Sequence, residues 1–332
     1  MKTAIVILNW NGRKLLEEFL PSIINFSTNN AEVYVADNSS SDDSIEFIKQ
    51  NFPTVNIVIN KENGGYAKGY NDALQHIKAD IYCLINSDVE VTKNWLSPVI
   101  ALFKSEENTA IIQPKLLDYK NKSKFEYAGA GGGFIDFFGY PYCRGRVFNH
   151  LETDKGQFND VATIFWASGA CLFIRSKVFH QLQGFDEDYF AHQEEIDLCW
   201  RVQNEGYTIK YVGASEVYHV GGATLQESNP HKTYLNFRNS LLTVLKNVPT
   251  RYLFQTIFSR LILDGIAGLK FMLELRPIHT WSILKAHLSF YRNLFKFIKK
   301  RRELQRKSNY NKHTSLVWQH FALGRKTFEE LK

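Results

Sequence analysis

Ala4-Ile5-Val6-Ile7-Leu8-Asn9-Trp10-Asn11-Gly12 opens on five apolar residues, three of them β-branched, and closes on polar ones. A short uninterrupted apolar run ended by a turn signal reads as a strand buried on both faces, as parallel sheets require. The pattern returns along the next eighty residues. Strands are expected from Ala4 to Leu8, Glu32 to Ala36, Val55 to Asn60 and Ile81 to Ile85, with helices from Arg13 to Asn25, Asp42 to Gln50 and Tyr66 to Ile77 between them. The Ser/Asp cluster before the second helix suits N-capping. A β-α-β-α-β-α-β succession predicts an α/β fold with a mostly parallel central sheet, which binds ligands at the carboxyl ends of its strands. Those ends carry Asn9-Trp10-Asn11-Gly12, Asp37-Asn38-Ser39-Ser40, Asn63-Gly64-Gly65 and Asn86-Ser87-Asp88, so all four segments are expected to line one crevice.

Beyond this unit the patterning changes. Residues 125–160, with the run Ala128-Gly129-Ala130-Gly131-Gly132-Gly133, show little periodicity and read as a long loop, either folding over a ligand or a loose insertion. An apolar stretch around Ser168-Gly169, a helix near Lys177, an acidic segment and a strand near Thr208 to Val212 follow. Past Pro230 the pattern is entirely helical. The expected organisation is an α/β domain over residues 1–228, a C-terminal amphipathic helical region over 229–310 and a tail over 311–332.

The 332 residues, 44% hydrophobic and 22% charged, describe a folded protein with a sizeable core. Cys83, Cys143, Cys171 and Cys199 form no C-x-x-C pair, which argues against a disulfide framework or a thiolate zinc site and for reduced thiols in a cytosolic protein. The first apolar run is too short for a signal peptide, so the chain reads as unexported. Charge divides sharply: residues 1–250 hold 23 Lys and Arg against 29 Asp and Glu, whereas residues 251–332 hold 17 against 5. A basic tail on an acidic body points to an anionic surface, either membrane or nucleic acid.

Three features carry candidate chemistry. Asp88 follows an apolar run at a strand end, where a carboxylate can hold a divalent cation together with diphosphate oxygens and water. Nearby, Asp37 and its polar neighbours offer acceptors to a nucleobase or ribose, and Asn63 to Gly69 adds flexible backbone and the cation Lys68. Phe185 to Asp197 masses six carboxylates in thirteen residues, interleaved with aromatic and apolar side chains. Read blandly this is a solvated helix start; read chemically, crowded half-buried carboxylates resist ionisation and one becomes a base near neutral pH. His219, at a strand end before Gly221-Gly222, could complete a mixed oxygen and nitrogen shell for Mn(II) or Mg(II).

The succession Asn9-Trp10-Asn11-Gly12, Asp37-Asn38-Ser39-Ser40-Ser41-Asp42, Asn63-Gly64-Gly65-Tyr66-Ala67-Lys68-Gly69-Tyr70-Asn71, Asn86-Ser87-Asp88, Ser168-Gly169-Ala170, Glu194-Glu195-Ile196-Asp197 and His219 resembles the family 2 glycosyltransferases of GT-A fold. The likeness is strongest to their rhamnosyltransferase-like and galactofuranosyltransferase-like branch and covers roughly residues 3–225; Arg238-Asn239 resembles its continuation. The resemblance implies an inverting enzyme that moves a rhamnose-like sugar from a UDP- or dTDP-linked donor to a lipid-linked or polysaccharide acceptor in surface polysaccharide synthesis. It implies Asp88 and His219 as metal ligands and Glu195 as base, with Glu194 the alternative and Asp197 positioning it. Donor contacts are implied for Asn9, Trp10, Asn11, Asp37, Asn63, Gly65, Lys68, Asn71, Asn86, Ser87 and Gly169, with Asp136 expected in the sugar-contacting loop. Two positions depart from the pattern: Asn86 replaces the first acid of the metal-binding D-x-D, and Glu195 replaces an Asp. The competing readings are a nucleotidyltransferase, which ordinarily carries a phosphate loop that Asn9 to Gly12 lacks, and a non-catalytic membrane-bound carbohydrate-binding module.

The tail discriminates between membrane and nucleic acid. In residues 252–275, Arg260, Asp264, Lys270 and Glu274 interrupt the apolar run well short of the ~20 residues that span a bilayer. Thr256, Arg260, Asp264 and Gly268 step by four and form a weakly polar stripe. After Pro277, Trp281, Leu284, Leu288, Tyr291, Phe295 and Ile298 build an aromatic face bordered by Lys285, Arg292, Lys296 and Lys299. An aromatic face with a basic border suits an interfacial helix on anionic headgroups and does not suit nucleic acid. The expected location is cytoplasmic, peripheral to the inner face of the cell membrane, unless the helices instead pack on the catalytic domain.

Overall fold

A computed structural model describes residues 1–331 except residues 29, 222–228, 305, 307 and 308. The elements run β1 (Thr3–Asn9), α1 (Arg13–Ser27), β2 (Glu32–Asp37), α2 (Ser44–Asn51), β3 (Asn56–Ile59), α3 (Gly65–Leu74), β4 (Ile81–Asn86), β5 (Val89–Val91), α4 (Leu96–Ser105) and β6 (Thr109–Asp118). Four short strands follow, β7 (Gly133–Ile135), β8 (Pro141–Cys143), β9 (Arg146–Val147) and β10 (His150–Leu151). Then come β11 (Val161–Thr163), β12 (Cys171–Arg175), α5 (Ser176–Gln181), α6 (Glu194–Asn204) and β13 (Thr208–His219). Three long helices follow, α7 (Pro230–Asn247), α8 (Thr250–Leu273) and α9 (Pro277–Arg302), before two short helical turns at Trp318–Ala322 and Glu329–Leu331.

The main sheet has the order β11-β13-β6-β12-β4-β1-β2-β3, with β5 added to β13. Strands β1, β2, β3 and β4 are mutually parallel, whereas β12 runs antiparallel between β4 and β6. The chain first steps outward from β1 to β3 and then returns to the other side of β1, so direction reverses between β1 and β4. That reversal opens a crevice beyond their carboxyl ends, at Asn9 and Asn86. The apolar runs are buried as expected: Ala4, Ile5, Val6, Leu84 and Ile85 have no accessible surface. One apolar cluster lies on each face of the sheet, and a third, around Leu241, Leu242, Phe290 and Phe297, joins α7 to α9.

Residues 125–160 are not a lid-like loop. They fold into the four-stranded sheet β10-β9-β8-β7, whose Ile135, Tyr142, Cys143 and Val147 are buried. Strands of two or three residues are too short to show periodicity, and glycines do the turning. A Cβ on Gly133 would lie 2.1 Å from the Trp166 ring, so only a bare backbone fits there. Asp136 is correspondingly moved away from the expected donor contact. It has no exposed surface and accepts from the backbone N–H groups of Phe138, Tyr140 and Leu316. It thus fastens the tail to the small sheet, assisted by Tyr310, which donates to the Phe137 carbonyl.

The expected boundary at residues 228 and 229 falls at the edge of a segment outside the described residues. The helical region beyond it is bound closely to the body: Val244, Val248, Tyr310, Leu316 and Leu331 share the apolar cluster of the sheet. Helix α8 is inverted. Its polar stripe, Thr256, Arg260, Asp264 and Gly268, is the buried face, while Phe254, Phe258, Ile262, Ile266, Leu269 and Leu273 are exposed. Arg260 meets Asp264 at 3.6 Å, donates to Ser240 and the Phe138 carbonyl, and stacks on Tyr140; His287 of α9 reaches Asp264.

Candidate functional site

The strand ends assemble a polar network. Asn9, fully buried, donates from Nδ2 to Asp37 Oδ1 at 2.9 Å, and Asp37 also accepts from Ser40 N and Oγ. Asn11, at φ 50°, accepts from Ser41 N and receives no help from glycine there; its short amide side chain tolerates the left-handed region by bonding locally. Asp42 accepts from Arg13 N and Ser44 N, tying the starts of α1 and α2 together. Asn38 donates to Asn63 Oδ1 and to the Gly65 carbonyl, carrying the network from β2 to the N-terminus of α3. Trp10 stands exposed at the rim.

Two expected donor contacts are engaged elsewhere. Lys68 pairs with Asp72 at 2.6 Å on the outside of α3. Asn71 is bonded twice to the backbone of Phe185, donating to its carbonyl and accepting from its N–H, and so holds the acidic segment against α3. Both are structural connections in this arrangement.

At the other side of the crevice, β13 slips register between Val212 and Glu216, and its last residues pair antiparallel with β5. This pairing sets His219 opposite Val89, and Val220 N donates to the Asp88 carbonyl. His219 Nε2 lies 3.2 Å from Asp88 Oδ1, and Asn86 Nδ2 lies 3.4 Å from the same ring nitrogen. The opposite nitrogen, Nδ1, faces Glu126 Oε1 at 3.3 Å, close enough for strong attraction though off the line of a good hydrogen bond. Burial opposes charge on the imidazole, but Glu126 and Asp88 together outweigh it and push its pKa up to about 10. A carboxylate behind the ring and another beside its far nitrogen is the donor chemistry of a histidine metal ligand with its outer partner. Among the described residues no cage of three His, Cys, Asp or Glu closes by itself, so a cation here needs further oxygens from a ligand or water.

The acid cluster opens at the same end of the sheet. Asn86 N donates to the Ala170 carbonyl, Tyr66 Oη donates to the Gly169 carbonyl at 2.8 Å, and Tyr66 N donates to the Phe190 carbonyl at 2.9 Å. A Cβ on Gly65 would lie 2.6 Å from that carbonyl, which is why the approach needs glycine. Phe190, His192 and Gln193 all take positive φ, 63°, 69° and 76°, and Asn239 of α7 donates to the carbonyls of Tyr189, Ala191 and His192. The loop then enters α6 with Glu194 and Glu195 at its start. Each has an Oε2 buried without a partner, as does Nε2 of His192. Burial, and then repulsion from Glu195, lifts Glu194 well above the usual carboxylate range; burial raises Glu195 to about 7 and lowers His192 to about 4.

Asp197 differs from its two neighbours. Burial would raise its pKa, but Lys246 and Arg201 at 2.9 and 2.8 Å hold it well below the usual range, and Asn247 adds a hydrogen bond. It is a fully paired anchor between α6 and α7 rather than a group facing the crevice. Sequence reading missed Glu126 and His192 as members of the site. Glu126 lies 93 positions from His219, with no spacing to betray the pairing, whereas His192 stood inside the acidic segment and could have been noticed.

A switch-point crevice with a carboxylate and histidine on one wall and a buried acid pair on the other defines the GT-A class of glycosyltransferase. The solved structures agree on the fold. Staphylococcus aureus TarS residues 1–349 in complex with UDP-GlcNAc superimposes with a TM-score of 0.56 at 14% identity, over 91% of this chain and 92% of that one. Mannosyltransferase PcManGT from Pyrobaculum calidifontis, in complex with GDP-Man and Mn2+, gives 0.54 at 13% identity, over 88% and 86%. The glycosyl transferase family 2 profile matches residues 4–183, and the chain belongs to that family. Among its relatives, the low-salt glycan biosynthesis hexosyltransferase Agl10 of Haloferax volcanii is 24% identical over 72% of this chain and 74% of its own length. The N-acetylglucosaminyl-diphospho-decaprenol L-rhamnosyltransferase of Mycobacterium tuberculosis is 24% identical over 65% and 75%. The chain is therefore a hexosyltransferase-type enzyme.

Proposed function

We propose that the protein transfers a hexosyl group, rhamnose-like, from a UDP- or dTDP-linked donor to a lipid-linked glycan acceptor, with inversion at the anomeric carbon. The observation that carries the mechanism is the pair of Glu194, buried, and Glu195, half-buried, each with a buried and unpartnered carboxylate oxygen, at the same sheet end as Asp88 and His219. The nucleotide lies over the β1 and β2 ends, with Asp37 and Asn11 toward base and ribose and Asn9, Ser87 and Gly169 lining the floor. Asp88 and His219 would hold Mn(II) or Mg(II), a reading that a structural neighbour solved with Mn2+ supports. When bound, that cation neutralises charge developing on the departing diphosphate. Glu195 accepts the proton of the acceptor hydroxyl as its oxygen bonds to the anomeric carbon; the bond from that carbon to the diphosphate oxygen breaks with its electron pair. Glu194, kept protonated more firmly than Glu195, leaves the negative charge of the pair on its neighbour.

The lipid-linked acceptor in the relative from Mycobacterium tuberculosis and the inverted α8 support a peripheral seat on an anionic cytoplasmic leaflet. Among the described residues no helix is long and apolar enough to cross a membrane. The decisive experiment is Glu195→Gln. Transfer from a panel of nucleotide sugars should fall by about 100-fold or more, while calorimetric affinity for UDP or dTDP with Mn(II) stays within about twofold. An active Glu195→Gln enzyme removes the assignment.

A further inference from the structure

Between the start of α7 and the start of α9 lies a groove of about 340 Å³, lined by Pro230, His231 and Tyr234 on one side and Ile278, Trp281 and Lys285 on the other. Its wall is almost wholly apolar. Ile278 and Trp281 are more than half exposed and continue directly into the exposed row of Leu284, Leu288 and Tyr291 on α9. Two basic side chains line it as well: His231 stacks on Tyr234, and Lys285 Nζ lies 5.7 Å from the Trp281 ring.

The groove is also connected to the acid loop. Tyr234 stands one helical turn before Arg238, whose Nη1 reaches Tyr234 Oη at 3.5 Å and whose Nη2 donates to the Tyr189 carbonyl at 3.0 Å. Asn239 beside it holds the carbonyls before Glu194. Tyr234 and Asn239 are five positions apart on the helix, about 7.5 Å along the axis at about 1.5 Å per residue. An amphiphile whose apolar chain lies on the α9 face thus has its polar end within a short reach of the acid pair.

We propose that this groove seats a lipid-diphosphate acceptor: the isoprenoid chain against Ile278 and Trp281, the diphosphate between His231 and Lys285, the sugar end directed along α7 toward Glu194 and Glu195. The inference rests on the transferase reading above and names the place where its acceptor enters. A bulk phospholipid satisfies the same apolar wall but has no reason to prefer a groove joined to the acid loop.

The test uses the full chain with saturating UDP and Mn(II), so that the donor crevice is occupied, and follows binding of farnesyl diphosphate by calorimetry without vesicles. Trp281→Ala and Lys285→Glu both alter exposed side chains and should leave melting temperature and UDP affinity unchanged. Each is expected to weaken farnesyl diphosphate at least tenfold, with farnesol and inorganic diphosphate binding far more weakly to the wild type. Equal affinity in both variants overturns the proposal, as does farnesol binding as tightly as farnesyl diphosphate, or an equal loss on Phe254→Glu, which lies outside the groove. Because neither transfer nor membrane is present, failure here is distinguishable from failure of the transferase reading, which Glu195→Gln decides.

Discussion

At the scale of single residues the site is governed by two buried electrostatic arrangements of opposite sign. Glu194 and Glu195 both lose solvation, and Glu194 is further opposed by the charge of Glu195, so both are harder to ionise than a free glutamate. A raised pKa in the base requires deprotonation before transfer. The log of kcat/KM should therefore rise with pH up to an apparent pKa of about 7, belonging to the pair, and a profile flat from pH 5 to 8 would contradict the assignment. Around His219 the carboxylates work in the other direction. Glu126 orients Nδ1 and leaves Nε2 toward Asp88, so Glu126→Gln should weaken Mn(II) affinity about tenfold or more by calorimetry, with the melting temperature nearly unchanged. Asp88 and His219 were legible because strand ends advertise polar residues. Glu126 was not, because β-sheet pairing between distant segments leaves no spacing in the chain.

At the scale of elements, the acid-bearing loop depends on a helix that the sequence pattern assigns to another region. Three residues in the left-handed region are strained by their side chains, and the loop keeps them because Asn239 satisfies three of its carbonyls. Asn239→Ala leaves buried carbonyls unpaired, at a cost of about 1–3 kcal/mol, and should lower kcat about tenfold with donor KM unchanged. Thermal melting and steady-state kinetics check both parts; an unchanged kcat would show that the loop holds itself. Helix α8 teaches a related lesson. Its period-four stripe of Thr256, Arg260, Asp264 and Gly268 is plain in the sequence, but a stripe has no sign. Whether polar residues face in or out was decided by Ser240, Tyr140 and His287, which supply partners for a buried Arg and Asp.

At the scale of the molecule, that inversion leaves the apolar faces of α8 and α9 outward together, far larger than the isolated exposed side chains common on protein surfaces. The border is basic, since residues 251–332 hold 17 Lys and Arg. Cosedimentation with phosphatidylglycerol-rich vesicles should drop at least tenfold for the double variant Phe254→Glu, Phe258→Glu, and the wild type should bind less at high salt. Binding indifferent to both changes would rule out this seat. The acid loop is clasped by the neighbouring helices: Lys246 of α7 and Lys300 of α9 both pair with Asp186, so the helical region and the acid loop form one packed body.

By itself the sequence determined the alternation of buried strands and helices, the polar segments at the strand ends and the identity of the acids, because each is written in runs and periods of neighbouring residues. The folding of residues 125–160 into a second sheet, the diversion of Asp136, Lys68 and Asn71 into structural bonds, the meeting of Glu126 with His219 and the outward turn of the apolar helix faces were settled only in three dimensions. Each depends on which distant group supplies a buried polar atom with its partner, and desolvation makes that choice energetically compulsory once the chain is packed.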